Sequence, residues 1–204
     1  EPREYKLMLG LSIGATADGA VNAYLRPETA TTTFTNFKNV LDSVPHKLPF
    51  GIVQIGKAFR NEISPRGFVF RMREFEQAEL QYFVKPGDDE KQFEMWKNER
   101  MRWWTQVLGI PASKLRFMPH EKLAHYAKAA VDIEYEFPDG FDEVEGIHNR
   151  QDFDLGSHTK AQSEFDIKAT VETNKDSTTK LSYSDPQSGI SFIPYVVETA
   201  MGVN

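Results

Sequence analysis

The feature that most constrains the fold is a pair of long extended segments joined by a short turn. Residues 49–63 (PFGIVQIGKAFRNEI) and 68–84 (FVFRMREFEQAELQYFV) are rich in the β-branched and aromatic residues that favour strands. The intervening SPRG contains proline and glycine, which favour a turn. The two segments therefore predict a long antiparallel hairpin, with Phe75, Gln77 and Glu79 on one face and Glu74, Glu76 and Ala78 on the other.

The remaining segments predict both helices and further strands. Residues 29–43 have apolar side chains at helical spacing and threonine hydroxyls that could cap the helix, and residues 88–108 form a second amphipathic pattern. The other predictions are extended segments within 5–14 and 15–28, a short helix at 120–130, strands at 131–137, 141–148 and 191–200, and exposed loop and hairpin over 157–190. Few crossover helices separate the strands, so we expect an α+β fold with an antiparallel sheet.

Size and composition narrow the class of protein. A length of 204 residues suits one substantial domain with an embellishment. The net charge of −6 argues against binding nucleic acid through bulk electrostatics, so any RNA contact should be local. The absence of cysteine excludes disulfides, and the chain contains neither a membrane-spanning apolar stretch nor a secretory signal. We therefore expect a soluble cytoplasmic protein without a membrane partner.

The charges on the hairpin allow two interpretations. Arginines and glutamates alternate here, at Arg60, Arg71 and Arg73 and at Glu62, Glu74, Glu76 and Glu79. Arginines that face one cleft would bind a polyphosphate, because guanidinium groups present paired donors to phosphate oxygens, and Phe75 could stack on a base. The same residues could instead form a ladder of ion pairs on an exposed hairpin. Charge alone does not separate the two.

A family resemblance does separate them. The blocks LRPETATTTFTNFKNVL, LPFGIVQIGKAFRNEISPRGFVFRMREFEQAEL, VEGIHNRQDFDLGSHTK and FIPYVVETAMGVN closely resemble successive blocks of the homodimeric glycyl-tRNA synthetase family, bacterial members above all. The resemblance extends from Tyr5 to Asn204, and FRNE with REFEQ is similar to that family's form of class II motif 2. It implies a class II synthetase catalytic core, an antiparallel sheet flanked by helices, with insertion-like segments at about 88–140 and 157–190.

The resemblance also implies an ATP site. In class II synthetases the motif 2 arginine binds the α-phosphate of ATP and the carboxylate of the amino acid, which makes Arg60 the expected catalytic residue. Arg71 would reach the terminal phosphates, Phe75 would stack on adenine, and Glu143 would hold Mg²⁺, with Glu198 as a further metal ligand. The full expected ATP set is Arg60, Asn61, Glu62, Phe70, Arg71, Met72, Arg73, Glu74, Phe75, Glu143 and Val144.

Glycine has no side chain to recognise, so the family holds its ammonium group with carboxylates and excludes larger amino acids. The matching acids here are Glu28, Glu79 and Glu198. The full expected glycine set is Glu28, Phe75, Glu76, Gln77, Glu79, Arg150, Glu198, Ala200 and Gly202. Arg66, at the tip of the motif 2 loop, is expected to face the acceptor end of the tRNA.

The chain departs from the family pattern in places. Thr31 and Thr32 stand where the family usually has Gln-Gly, and Ala200 stands where it commonly has serine. Motif 1 is expected before residue 1 and the motif 3 arginine after Asn204, so the chain should be part of a longer homodimeric enzyme.

The resemblance implies a glycine–tRNA ligase that uses glycine, ATP, Mg²⁺ and tRNA(Gly). A synthetase-like module that binds an adenine nucleotide without aminoacylation is the alternative, and a plain structural domain with an ion-paired hairpin is a third. The scattered histidines, His125 and His158 among them, lack the short spacing of a zinc site.

Overall fold

The computed structural model describes residues 6–16, 19–158 and 181–203. Its centre is a six-stranded antiparallel sheet. In chain order the elements are β1 (Gly10–Ile13), β2 (Val21–Tyr24), α1 (Ala30–Ser43), β3 (Phe50–Phe59), β4 (Glu74–Val84), α2 (Asp89–Arg102), β5 (Leu115–Pro119), β6 (Ala129–Phe137), β7 (Gly140–Gln151), α3 (Phe153–Ser157), β8 (Tyr183–Ser184), β9 (Ser191–Phe192) and β10 (Tyr195–Gly202). The strand order of the main sheet is β3-β4-β10-β7-β6-β5, which confirms the α+β prediction.

The predicted hairpin is present, although its strands are shorter than expected. β3 and β4 pair from Phe50 opposite Phe83 to Phe59 opposite Glu74. The prediction that Arg60, Glu62, Arg71 and Arg73 lie on strands was wrong, because residues 60–73 form an irregular connection. Proline cannot donate to a strand ladder, and Gly67 and Phe68 adopt φ of 67° and 55°, so the chain turns out of the sheet in this stretch.

Two helix predictions need correction. The helix at 30–43 is confirmed, but Thr29 does not cap it through its side chain; its hydroxyl donates to the Glu79 carboxylate instead. The short helix predicted at 120–130 is wrong. The backbone N–H groups of His120 and Lys128 donate to Ala130 O and Asn149 O, so this fully described stretch satisfies them through β6 and β7 rather than through helical bonds.

The second amphipathic helix is confirmed over Asp89–Arg102 and continues as a π-helical turn, Trp103–Val107. It packs on one face of the sheet, where Phe93, Ile133, Ile147 and Val197 form a buried cluster. Strands β6 and β7 confirm the two strands predicted near 131–148, and β10 confirms most of the last predicted strand. Much of the loop and hairpin predicted at 157–190 lies outside the described residues. Its described end contains β8, which pairs with β9 at the start of the predicted strand 191–200.

The opposite face of the sheet is apolar at one end only. There α1 covers it, and Phe34 and Phe37 pack on Phe83 and Val196. Beyond the helix the same face carries polar side chains, and this part contains the candidate site.

Strand register brings residues from distant parts of the chain onto that polar face. Glu79 lies opposite Ala200, which lies opposite Gly146, which lies opposite Asp132. In the adjacent row Gln81 lies opposite Glu198, and Glu198 lies opposite His148. Two bulges in β7, at Val144 and Arg150, shift which side chains reach this face.

Among the described residues, no helix combines the length and apolar character needed to cross a membrane.

Candidate functional site

Three acids from separate parts of the sequence meet on the polar face. Glu79 and Glu198 are buried on the neighbouring strands β4 and β10, and Glu28 lies just before α1. Their charges are close enough to act on one another, because Glu198 raises the pKa of both Glu28 and Glu79. We call Glu28, Glu79 and Glu198 the acid trio.

Glu79 has an unusual protonation equilibrium. Burial, together with the charges of Glu198 and Glu28, raises its pKa to about 7, although hydrogen bonds from the Thr29 hydroxyl and the Ala30 backbone act in the opposite direction. The pKa of Glu28 is also raised, chiefly by burial, while Arg150 and Arg60 counteract the shift. A cation that entered the trio would favour the ionised forms of both acids.

Glu198 remains ionised although it is buried. Burial alone would raise its pKa, but His148, Arg150 and Gln81 lower the pKa to about 2. Arg150 Nη1 donates to both carboxylate oxygens at 3.2 and 3.1 Å, and Gln81 Nε2 donates to Oε2 at 2.6 Å. His148 Nδ1 lies 3.3 Å from Oε1 without hydrogen-bond alignment.

Arg150 is fixed from several directions. Its Nε and Nη2 atoms donate to Asp154 at 2.7 and 2.8 Å, and its guanidinium carbon lies 4.1 Å from the centre of the Tyr126 ring. Asp154, in the Phe153–Ser157 turn that follows β7, lies four residues beyond Arg150 in the sequence. Arg150 therefore presents a rigid positive charge to the acid trio.

Arg60 is a second arginine near the acid trio. Its Nε donates to Pro27 O at 3.1 Å, and its guanidinium carbon is 5.5 Å from the centre of the Phe75 ring. The pKa values of Glu28 and Glu143 are both raised, chiefly by burial, and the charge of Arg60 opposes the rise in each. Arg60 is therefore close enough to act electrostatically on the acid trio and on a second acidic group, which lies on β6 and β7.

That second group is centred on Glu143. The Glu143 side chain reaches solvent, yet neighbouring atoms desolvate its carboxylate, and this desolvation and the Asp132 charge raise its pKa. A Cβ built on Gly146 would lie 3.5 Å from Asp132 Oδ1, 3.6 Å from Glu143 Oε1 and 2.8 Å from His148 Cε1. Glycine at position 146 therefore allows these groups to approach each other closely.

Other predicted ATP residues lie in the 60–73 connection or at its junction with β4. Arg71 Nη1 is 3.3 Å from Glu62 Oε2, and Arg73 Nε donates to Glu62 O at 3.0 Å. Phe70 packs edge-on against Phe137. Among the other predicted ATP residues, Asn61 donates to Lys6 O at 3.2 Å, Glu74 pairs with Lys57, and Met72 is partly buried. Val144 packs on the α2 face of the sheet. Arg66, the predicted tRNA contact, forms a backbone bridge with Arg71.

The other residues that were predicted to bind the substrate glycine lie on β4 and β10. Ala200 is opposite Glu79 and Gly202 is opposite Gln77. Gln77 Oε1 is buried and has no hydrogen-bond partner among the described residues, and Glu76 O accepts from Val203 N at 3.0 Å. Thr32 is one of the two threonines that replace the family's usual Gln-Gly. It donates to Gln54 Oε1 at 2.6 Å and so links α1 to β3.

Sequence reasoning overlooked several residues that build this site. They are Thr29, Gln81, Tyr126, Asp132, His148 and Asp154. Continuing the period-2 pattern of β4 one step beyond Glu79 would have found Gln81. The i,i+4 spacing of Arg150 and Asp154 was likewise visible in the sequence.

The predicted metal ligands do not converge in one place. Glu143 lies beside Asp132, whereas both oxygens of Glu198 accept from Arg150. Within the described residues, no three histidine, aspartate or glutamate side chains are arranged to hold a metal ion.

The chain is similar to known proteins in sequence and in fold. Residues 15–183 match the model of the tRNA synthetase class II core domain (G, H, P, S and T). The chain is 56% identical over 205 residues to a glycine–tRNA ligase of Thermus thermophilus and 50% identical over 207 residues to one of Deinococcus radiodurans. Both alignments cover 100% of this chain, but only 40% and 41% of the relatives' lengths.

A solved structure, Giardia lamblia prolyl-tRNA synthetase in complex with prolyl-adenylate, resembles the fold with a TM-score of 0.68 at 18% identity. The alignment covers 96% of this chain and 35% of that one. Because the family model spans most of the sequence, this chain belongs to the class II tRNA synthetase core domain family.

Proposed function

We propose that the protein to which this chain belongs is a glycine–tRNA ligase, which activates glycine with ATP and transfers it to tRNA(Gly). The observation that carries the proposal is the acid trio flanked by Arg60 and Arg150 on one face of the sheet. The similarity to bacterial glycine–tRNA ligases over the whole chain supports the same conclusion.

The charges suit each end of the glycine molecule. The acid trio, of which Glu79 and Glu198 are buried, offers carboxylates to the ammonium group. Arg60 stands beside Glu28 and can hold the glycine carboxylate together with the α-phosphate of ATP. The ionised carboxylate needs no general base to attack phosphorus.

In the first step a carboxylate oxygen of glycine forms a bond to the α-phosphorus, and the bond to the departing pyrophosphate breaks. Arg60 stabilises the negative charge that develops on the α-phosphate oxygens. In the second step a terminal hydroxyl of the tRNA attacks the carbonyl carbon, and AMP leaves. Arg66, at the exposed tip of the 60–73 connection, is available to contact the acceptor end.

The second acidic group suits Mg²⁺. Glu143 Oε1 and Asp132 Oδ1 lie 3.6 and 3.5 Å from the position that a Cβ on Gly146 would occupy, and Mg²⁺ prefers oxygen ligands. We therefore assign Glu143, with Asp132 beside it, to hold the ion. Bound there, Mg²⁺ would neutralise charge on the phosphates of ATP.

We also propose that the whole protein is a homodimer and that it is located in the cytoplasm. The experiment that tests the proposal is glycine-dependent exchange of pyrophosphate into ATP. We expect exchange by the whole protein with glycine and little with alanine, and Arg60→Ala should lower the rate by roughly 100-fold or more.

Two negative results would have different meanings. ATP binding without glycine-dependent exchange would favour an adenine-nucleotide-binding module, the function to which the Thr32 and Ala200 departures point. ATP binding that is unchanged by Arg60→Ala would favour a structural role for the hairpin charges.

A further inference from the structure

Gln81 occupies a position where an apolar side chain would be expected. It lies on the inward face of β4, two residues beyond Glu79, and is 0% exposed. The next inward residue, Phe83, belongs to the apolar cluster under α1. Burying an amide in a sheet interior is unfavourable unless its polar atoms are paired, so the presence of Gln81 needs a specific reason.

One reason is its contact with Glu198. The two residues are directly opposite each other on β4 and β10, and Gln81 Nε2 donates to Glu198 Oε2 at 2.6 Å. The same carboxylate accepts from Arg150, which Asp154 also engages. Gln81 therefore fixes the carboxylate through a neutral donor, and the negative charge of Glu198 is not cancelled by a further cation.

The other end of the amide is unpaired. Gln81 Oε1 is buried and has no hydrogen-bond partner among the described residues. A donor that entered the buried neighbourhood of the acid trio could satisfy this acceptor. An ammonium group, which carries several N–H donors and a positive charge, has the right chemistry for both Gln81 and Glu198.

We propose that Gln81 is a positioning residue that holds Glu198 in place for the ammonium group of the amino acid substrate. The inference rests on the proposed function, since it concerns the site at which glycine would bind. The contact between Gln81 and Glu198 should therefore contribute to the affinity for the amino acid but not to the affinity for ATP.

The test is Gln81→Met in the whole protein, which preserves most of the side-chain volume and removes the donor. In glycine-dependent pyrophosphate exchange, we expect the KM for glycine to rise about tenfold, as for the loss of one hydrogen bond to a charged group. The KM for ATP and kcat should each change by less than about twofold. Gln92→Met, on α2 against the other side of the sheet, is the matched control and should alter neither KM.

Gln81→Asn is a second variant, which tests the contact if Gln81→Met fails to fold. It retains an amide but is one methylene shorter, which withdraws the donor from Glu198, so it should raise the KM for glycine as well. Thermal unfolding of each variant identifies a merely structural role, in which kcat falls with the fraction of folded enzyme and both KM values stay constant.

A glycine KM that is unchanged in both variants would overturn the inference while the proposed function stands. A loss of kcat that accompanies a lower Tm, without a change in KM, would overturn it equally. If the unmodified protein shows no glycine-dependent exchange, the proposed function itself fails and the inference falls with it.

Discussion

At the scale of single residues, Glu79 shows how burial and charge are balanced in the acid trio. It is 4% exposed and interacts with two other carboxylates, and these effects outweigh the hydrogen bonds from Thr29 and Ala30. The result is a glutamate whose pKa of about 7 lies near neutrality. Buried carboxylates of this kind destabilise the ligand-free protein, and a bound cation would relieve that destabilisation.

This balance predicts a pH dependence of stability. The folded pKa of Glu79 is raised above its ordinary value of 4.5 to about 7, so its stabilising contribution is complete below pH 4.5 and is lost as the pH rises through 7. Glu79→Gln should therefore gain stability relative to the unmodified protein between pH 4.5 and pH 8, by on the order of 3 kcal/mol. Urea unfolding without ligands at several pH values measures this gain.

Glu121→Gln, at an exposed position, is the control for Glu79→Gln and should show no such trend. Parallel stability curves for Glu79→Gln and the unmodified protein would contradict the raised pKa of Glu79.

At the scale of elements, the hairpin and the long helix were predictable, whereas the site-forming details of β7 were not. Alternating burial marks β4, because Glu79, Gln81 and Phe83 on one face are buried while Ala78, Leu80 and Tyr82 on the other are partly buried. The bulges at Val144 and Arg150 follow from pairing with β6 and β10, and no local pattern in β7 indicates them. Sequence reasoning also extended the hairpin strands into the 60–73 connection, where the chain instead turns out of the sheet around Gly67 and Phe68.

Gly146 in β7 provides a test at this scale. Gly146→Ala would place Cβ 2.8 Å from His148 Cε1, so the imidazole or the strand must shift. We expect a loss of about 1–3 kcal/mol in the free energy of unfolding, the usual effect of overpacking. Urea denaturation measures it.

Gly10→Ala in β1 is the matched control for Gly146→Ala, because its Cβ would meet Tyr24 at an ordinary 3.6 Å. Equal stabilities of the two variants would show that the space at Gly146 is not limiting.

At the scale of the whole molecule, the two faces of the sheet have different roles. One face packs on α2 and supplies apolar burial, while the other carries the acid trio, Arg60 and Arg150. Glu28 and Glu198 come from opposite ends of the chain and meet because β10 lies between β4 and β7. Periodicity cannot reveal such a meeting, since it reports only which face a residue takes. The resemblance to synthetase sequences predicted it, because the resemblance matches Glu28 and Glu198 to one glycine-binding site.

The separation of the two faces can be tested by disrupting a polar contact on the α2 side. Glu145 is 1% exposed, and it accepts from Arg100 Nε and from Trp104 Nε1, the latter at 2.6 Å. Arg100→Met would leave a buried carboxylate without its cation, and we expect a loss of about 3 kcal/mol in the free energy of unfolding. Arg102→Met removes an exposed arginine paired with Glu99 from the same helix and should have little effect, because solvent screens that pair. In the whole protein, Arg100→Met should leave the KM for glycine unchanged, since Glu145 and the acid trio lie on opposite faces. A change in that KM comparable to the effect of Gln81→Met would mean that the two faces are coupled. A contact that stabilises the α2 face would then also influence substrate binding on the other face.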